Sequence, residues 1–544
     1  MLTLIAGGRV IDPANHRDGV GDVWMREGKI IDPPQGARAD AIYDAAGKIV
    51  MAGAIDIHSH IAGWNVNTAR LLLPEYHSAA APRPTETPLS NVGWTTRATG
   101  CLYAAMGFTT VVEPAVSPHH ALHAHLELAD IPIIDKATLA VLGNDDYLLD
   151  LLHAKESDVA IQDYVAWTLE MSRSLGIKVV NAGGAAAFKE NIRAFSFDDV
   201  VPSYGVSSRV IVRALQHAVN ALGVPHPLHV HCNNLGLAGN AETALMTIAA
   251  AEGLPLHLAH LQFYGYGKEG ERGFSSAAAR LAEAVNAGTG ITIDVGQVMF
   301  GQTVTISSDV LRQFNARNQA RPRKWLILDG DANGVGVVPY NYRRNDFYNA
   351  VQWAVGLELF LLIEDPWRVF LTTDHPNGAP FTTYPEIFAL LMSRDLRAQW
   401  MVDMPPAAMK VTTLPSIARE YSLTEIAAMT RAAPAKLLGL TDRGHLNPGA
   451  VADVAIYEND ADRAKMFRAA ALVFKDGELV VRGGRVTNYR WGRALTVRPE
   501  RNRAIDRRMR TYYADRYGLS DEFVKVPEHA LGRPEPFELV PCVS

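Results

Sequence analysis

The stretch Ile49-Val50-Met51-Ala52-Gly53-Ala54-Ile55-Asp56-Ile57-His58-Ser59-His60 decides how this chain is read. Residues 49–57 form an apolar run of strand length that ends in two histidines separated by one residue. On a strand, residues two apart project to one face, so both imidazoles can converge on one ion. Metal-capable side chains at the C-terminal end of a strand are where a (β/α)₈ enzyme places its chemistry. An H-x-H triplet alone also fits two partly buried residues in a loop, so the other ligands must come from elsewhere in the chain.

Working outward, the first fifty residues read as short strands at 2–6, 8–11, 22–25 and 29–31, with Gly7-Gly8 and Glu27-Gly28 as turns. Residues 452–457, 471–474, 479–481 and 485–486 repeat the style at the far end. Between them, strand-like runs at 107–112, 137–142, 177–181, 227–231, 256–261, 290–295 and 369–373 alternate with helical segments. With the 49–57 run they make eight, which predicts an α/β (β/α)₈ TIM-like barrel rather than an open doubly wound sheet. The expected organisation is a small β-sandwich from residues 1–50 and 441–495, a barrel over 51–440, and a basic C-terminal extension over 496–544. Long excursions at about 61–95 and 296–368 exceed ordinary connections and read as lids or substrate-binding insertions. Arg498, Arg501, Arg503, Arg507, Arg508, Arg510 and Arg516 make the extension basic, as either a solvated helix face or a tail that docks on a protein partner.

A chain of 544 residues, 48% hydrophobic and 20% charged, buries a large core and is not disordered. A net charge of −6 argues against a nucleic-acid partner. The three cysteines, Cys101, Cys232 and Cys542, imply neither a disulfide framework nor a thiolate zinc site. The N-terminus lacks the basic region of a signal peptide, and no apolar stretch approaches the roughly 20 residues that span a bilayer, so a cytoplasmic protein is expected.

Four more strand ends carry polar, metal-capable groups: Lys178 within Gly176-Ile177-Lys178-Val179-Val180, then His229-Val230-His231-Cys232-Asn233-Asn234, His257-Leu258-Ala259-His260, and Thr373-Asp374-His375-Pro376. A lysine among apolar residues is rarely buried without a partner, although snorkelling or a salt bridge is the plain explanation. His119, His120, His123 and His125 also cluster, but their Ala, Leu and Glu neighbours read as a helix, on which residues two apart diverge.

Together these motifs resemble the amidohydrolase superfamily, in its branch with a binuclear centre bridged by a carboxylated lysine; the likeness covers about residues 1–495. The blocks from His229 to Gly236 and His260 to Gly267, with Asp294-Val295-Gly296-Gln297 and Asp374-His375-Pro376-Asn377-Gly378, are similar to the A component of formylmethanofuran dehydrogenases. The bacterial counterparts of those belong to formyltransferase/hydrolase complexes of methylotrophs. The resemblance implies a first metal on His58, His60 and Asp374, a second on His231 and His260, and a bridging N6-carboxylysine at Lys178. Such ligation suits zinc best, ahead of manganese or iron.

By the same resemblance the enzyme is a metal-dependent amidohydrolase of one-carbon metabolism that cleaves N-formylmethanofuran, or an analogue, to formate and methanofuran. Asp374 is the implied proton shuttle, with Asn233 and His375 the candidates for contact with the substrate oxyanion. The other members of such a multi-subunit complex are the expected partners. Arg317, Arg321, Arg323, Lys324, Arg343 and Arg344 are candidate contacts to an acidic cofactor tail, or simply a solvated surface. Strand periodicity leaves open whether His229 or His257 replaces an assigned ligand. Two other functions remain as alternatives, a cyclic amidohydrolase of the hydantoinase or dihydropyrimidinase kind and a non-catalytic scaffold. Cys232, beside a ligand, reads as packing rather than as a nucleophile.

Overall fold

Parallel strands lie at Ala54–Asp56, Phe108–Val116, Asp135–Leu142, Gly176–Val180, His229–His231, Leu256–Leu258, Ile291–Asp294 and Val369–Phe370 in the computed structural model. The structure describes every residue except 37, 74–95, 193, 308, 310–315, 317, 322–328, 331–335, 533–535 and 544. Each strand pairs with the next in chain order. The ring closes where Ser59 bridges His375 in parallel and His60 N donates to His375 O at 2.8 Å. This is the expected barrel, and buried Val, Ile, Leu and Ala side chains from its strands form the main core. Several strands are shorter than their apolar runs suggest because the polar residues at their ends leave the ladder to face the barrel mouth.

The 49–57 run is two strands, not one. Lys48–Ala52 joins a nine-stranded sheet built from both ends of the chain, pairing antiparallel with Val454–Glu458, while Ala54–Asp56 enters the barrel. Gly53 makes the transfer because a Cβ there would sit 2.1 Å from Thr109 Oγ1, closer than any side chain can approach. The terminal segments share one hydrogen-bonded sheet. Its edge strand Lys29–Ile31 returns against residues 450–452, with Ile30 N donating to Ala450 O, and encloses a second core that includes Ile5, Val23, Val50, Val454 and Phe474.

The boundary expected at 495 falls inside a strand. Ala494–Thr496 pairs in parallel with the start of the third barrel strand, and Phe537–Leu539 pairs with it in turn, so the extension widens the barrel sheet. Helix Ala504–Tyr517 packs on helix Asp158–Ser172. Arg501 and Arg503 pair with Glu170, and Arg508 pairs with Glu156. Glu170 lies on helix Asp158–Ser172 and Glu156 in the turn before it, so these arginines are engaged by acidic residues of the chain's own barrel domain.

The insertion before the last strand contributes an antiparallel pair, Gly301–Ser307 with Gly336–Tyr342, and the deeply buried helix Phe347–Leu362. Thr305, Ile306, Ser307 and Tyr342 from the antiparallel pair line the cavity at the barrel mouth. Among the described residues no helix is long and apolar enough to cross a membrane.

Candidate metal centre

Four backbone positions just beyond strand ends, Asn181, Asn234, His260 and Asp374, adopt left-handed φ between +35° and +70°. Non-glycine residues pay strain there, and such turns aim side chains back over a barrel mouth. Gly296 permits one of them, since a Cβ on it would stand 2.4 Å from His260 Cβ. The result is a cavity of about 250 Å³ lined by His60, Lys178, His231, His260 and Asp374, with apolar walls that include Ala62, Val66, Val116 and Phe263.

Asp374 Oδ1 stands 3.1 Å from His58 Nε2 and 3.2 Å from His60 Nε2, without hydrogen-bond geometry to either. Lys178 Nζ lies 3.2 Å from the same His58 nitrogen. Beside them His231 Nδ1 and His260 Nε2 are 3.0 Å apart. Ligand atoms about 2.0–2.2 Å from a shared zinc ion stand roughly 3–3.5 Å from each other, so these spacings and the unsatisfied Asp374 oxygen fit an ion. All six residues expected in the centre are brought together.

The electrostatics favour a cation. Burial opposes the charge on Asp374, but His260 and the contacts to His58 hold its carboxyl well below the usual range. Burial would also lower His60, yet Glu113 and Asp374 push it up to about 9. For Lys178, burial outweighs Asp374, Asp294 and Glu113 and lowers the amine's pKa, which favours the neutral, nucleophilic form.

Carboxylates that carry no legible spacing in the sequence orient the ligands. Glu113 Oε1 pairs with His60 Nδ1 at 3.0 Å, while its other oxygen accepts from Ile61 N and Ala62 N. Asp294 Oδ2 pairs with His58 Nδ1 at 3.1 Å, and its Oδ1 accepts from His260 N and Thr372 Oγ1. Asn377 Nδ2 donates to Asp374 Oδ2 at 2.8 Å. Asp309, from the insertion, meets His231 Nε2 at 2.9 Å. Glu113 sits in an apolar strand run and Asp309 in an insertion, so neither announced itself.

The other expected residues divide. His229 lies beneath the centre, 2.9 Å from His58 Nδ1, and with His58 and Asp294 it forms a second group able to hold an ion. His257 supports Asp294 from below at 3.1 Å. Asn233 and His375 do not line the cavity: the Asn233 amide donates to Asn181 and Ser208, and His375 Nδ1 accepts from Phe381 N. Burial pushes the Cys232 thiol up to about 12, which disfavours a thiolate nucleophile.

In the helix-face histidine group, His123 and His125 lie on helix Ala121–Asp130 as expected, whereas His120, in the turn before it, reaches the cavity wall. Of the candidate cationic contacts, Arg321 lines the cavity, and Arg344 pairs with Asp403 and covers Trp400. Arg343 does not line the cavity, and Arg317, Arg323 and Lys324 lie outside the described residues.

Comparison with known proteins matches residues 41–487 to the model of the amidohydrolase family. The A component of the formyltransferase/hydrolase complex Fhc of Methylorubrum extorquens is 51% identical over the full length of both chains. Protein FwdA of Methanocaldococcus jannaschii is 38% identical over 96% of this chain and 97% of its own. The crystal structure of the Methylorubrum extorquens complex with methylofuran superimposes with a TM-score of 0.94 at 50% identity, covering both chains fully. The chain belongs to the amidohydrolase family of metal-dependent enzymes and, within it, to the family formed by the A components of formyltransferase/hydrolase complexes.

Proposed function

We propose that the chain hydrolyses the N-formyl group of a methanofuran-type cofactor, releasing formate and the free amine, as the A component of a cytoplasmic formyltransferase/hydrolase complex. The observation that carries this reading is full-length identity of 51% to such a component, combined with six ligand-type groups gathered at one barrel mouth. The related crystal structure was determined in complex with methylofuran, a member of the proposed substrate class.

In this reading His58, His60 and Asp374 would hold one divalent ion and His231 and His260 another, and Lys178, as its carbamate, would supply oxygen ligands. Carbamate formation joins the neutral lysine nitrogen to the carbon of carbon dioxide, opening one C=O bond and releasing one N–H proton to solvent, and turns a buried would-be cation into a two-oxygen anion. The imidazole-rich set suits zinc. When bound, a pair of divalent ions supplies a water acidic enough to attack at neutral pH and polarises the amide carbonyl. Asp374, fixed by Asn377 and kept ionised by its imidazole neighbours, accepts the attacking water's proton. It then delivers that proton to the departing nitrogen as the C–N bond breaks. Apolar side chains on the cavity wall keep bulk water from the exchange.

The test compares formate release from an N-formyl methanofuran-type amine with ring opening of hydantoin and dihydrouracil by the purified complex. Turnover of the cyclic substrates alone would overturn the substrate assignment. Lys178→Ala should lose both bound metal and turnover; full metal content and activity in that variant would sink the carbamate.

A further inference from the structure

Among the described residues of the insertion that roofs the cavity, Asp309 reaches the barrel interior. Asp309 follows the strand Gly301–Ser307 and is fully buried. Its Oδ2 lies 2.9 Å from His231 Nε2, the ring nitrogen that faces away from His260. Its Oδ1 accepts from Asn181 Nδ2 at 3.3 Å, and Asn181 Oδ1 in turn accepts from Asn233 Nδ2 at 2.9 Å. The carboxylate is thereby anchored to turns that follow the fourth and fifth barrel strands.

An imidazole can present a lone pair to an ion only from the nitrogen that carries no proton. A carboxylate on Nε2 keeps the proton there, leaves Nδ1 free, and fixes the plane of the ring. The same strand also reaches the other half of the centre, since Ile306 N donates to Asn377 Oδ1 and Asn377 holds Asp374.

We propose that Asp309 is the positioning carboxylate of the second ion site, so that affinity for that ion depends on the insertion being seated over the barrel. The proposal rests on the assignment of His231 and His260 to the second ion. Asn233 then acts through Asn181 and Asp309 rather than by touching substrate.

Metal per chain is measured in the purified complex across a series of buffered free-zinc concentrations, for wild type, Asp309→Asn, Asp309→Glu and Asn181→Ala. Wild type should fill in two steps. In Asp309→Asn one step should move to about 10–100-fold higher free zinc while the other stays in place. Asp309→Glu, which restores an acceptor on a longer stem, should recover part of that shift, which mere loss of packing would not predict. Asn181→Ala keeps the charge and removes one of its anchors, so it should move the same step by less; it carries the test if Asp309→Asn does not fold. Two unmoved steps in the folded variants would overturn the proposal. Fewer than two zinc ions in the wild type would instead overturn the binuclear reading.

Discussion

Two buried polar clusters occupy opposite ends of the barrel, and one is closed where the other is open. Asp135 begins the third strand, and Val141 near its other end lines the cavity beside Lys178. At the Asp135 end carboxylates meet ammonium and guanidinium groups. Lys475 Nζ meets Asp135 at 2.9 Å and Asp453 at 2.8 Å, while Arg443 joins Asp135 and Glu538. At the cavity end carboxylates face imidazoles, Asp374 Oδ1 accepts no hydrogen bond, and the backbone of His260 and Asp374 is left-handed. A closed ionic cluster ties the terminal sheet and the C-terminal strand to the barrel. An open one keeps acceptor atoms aimed at a shared space, an arrangement that favours a cation over a packed interior.

The largest effect that separates the clusters is expected at Asp374. Asp374→Asn should lower kcat by about 10²–10⁴-fold while leaving the unfolding midpoint close to wild type. Turnover within a fewfold of wild type, with metal present, would deny Asp374 its proton role. Next comes Lys475→Met, which strands Asp135 and Asp453 and should cost about 3–5 kcal/mol in urea unfolding without changing kcat of the folded enzyme.

That lysine also carries a pH signature. Burial opposes its charge, but Asp135 and Asp453 hold its pKa above the ordinary value. Its contribution is therefore fully present below about 10.5 and lost as pH rises through the raised value, so Lys475→Met should flatten the alkaline limb of a stability profile. An unchanged limb would place the stabilisation elsewhere. The smallest effect is expected at Glu113: Glu113→Gln should weaken binding of one ion by roughly 10–100-fold, with the other unaffected, in a metal titration. Equal weakening of both would mean that Glu113 braces the mouth as a whole.

The legible part of the site was the part with spacing. His58 and His60 two apart on a strand end, and polar groups closing further strands, follow from the strand repeat and from barrel geometry. Glu113 and Asp309 touch the expected ligands from behind, at His60 Nδ1 and His231 Nε2, so no interval in the chain ties them to the cavity. His120 reached the wall because the helix starts just after it, at Ala121, a boundary that helical composition leaves loose. In the fold, alternation located the terminal strands but could not show that they share one curved sheet. Nor could it show that Gly53 divides the 49–57 run, because a strand that changes sheets remains apolar on both sides of the crossing.

The shared terminal sheet has a consequence for biosynthesis. Lys48–Ala52 pairs with Leu2–Asp12 early, but its other neighbour, Val454–Glu458, emerges about 400 residues later. At about 5–20 residues per second the ribosome takes roughly 20–80 s to supply it. For that interval the nascent chain presents a bare, apolar strand edge, which makes this sheet the natural point of engagement for a chaperone and the first place to aggregate when translation stalls.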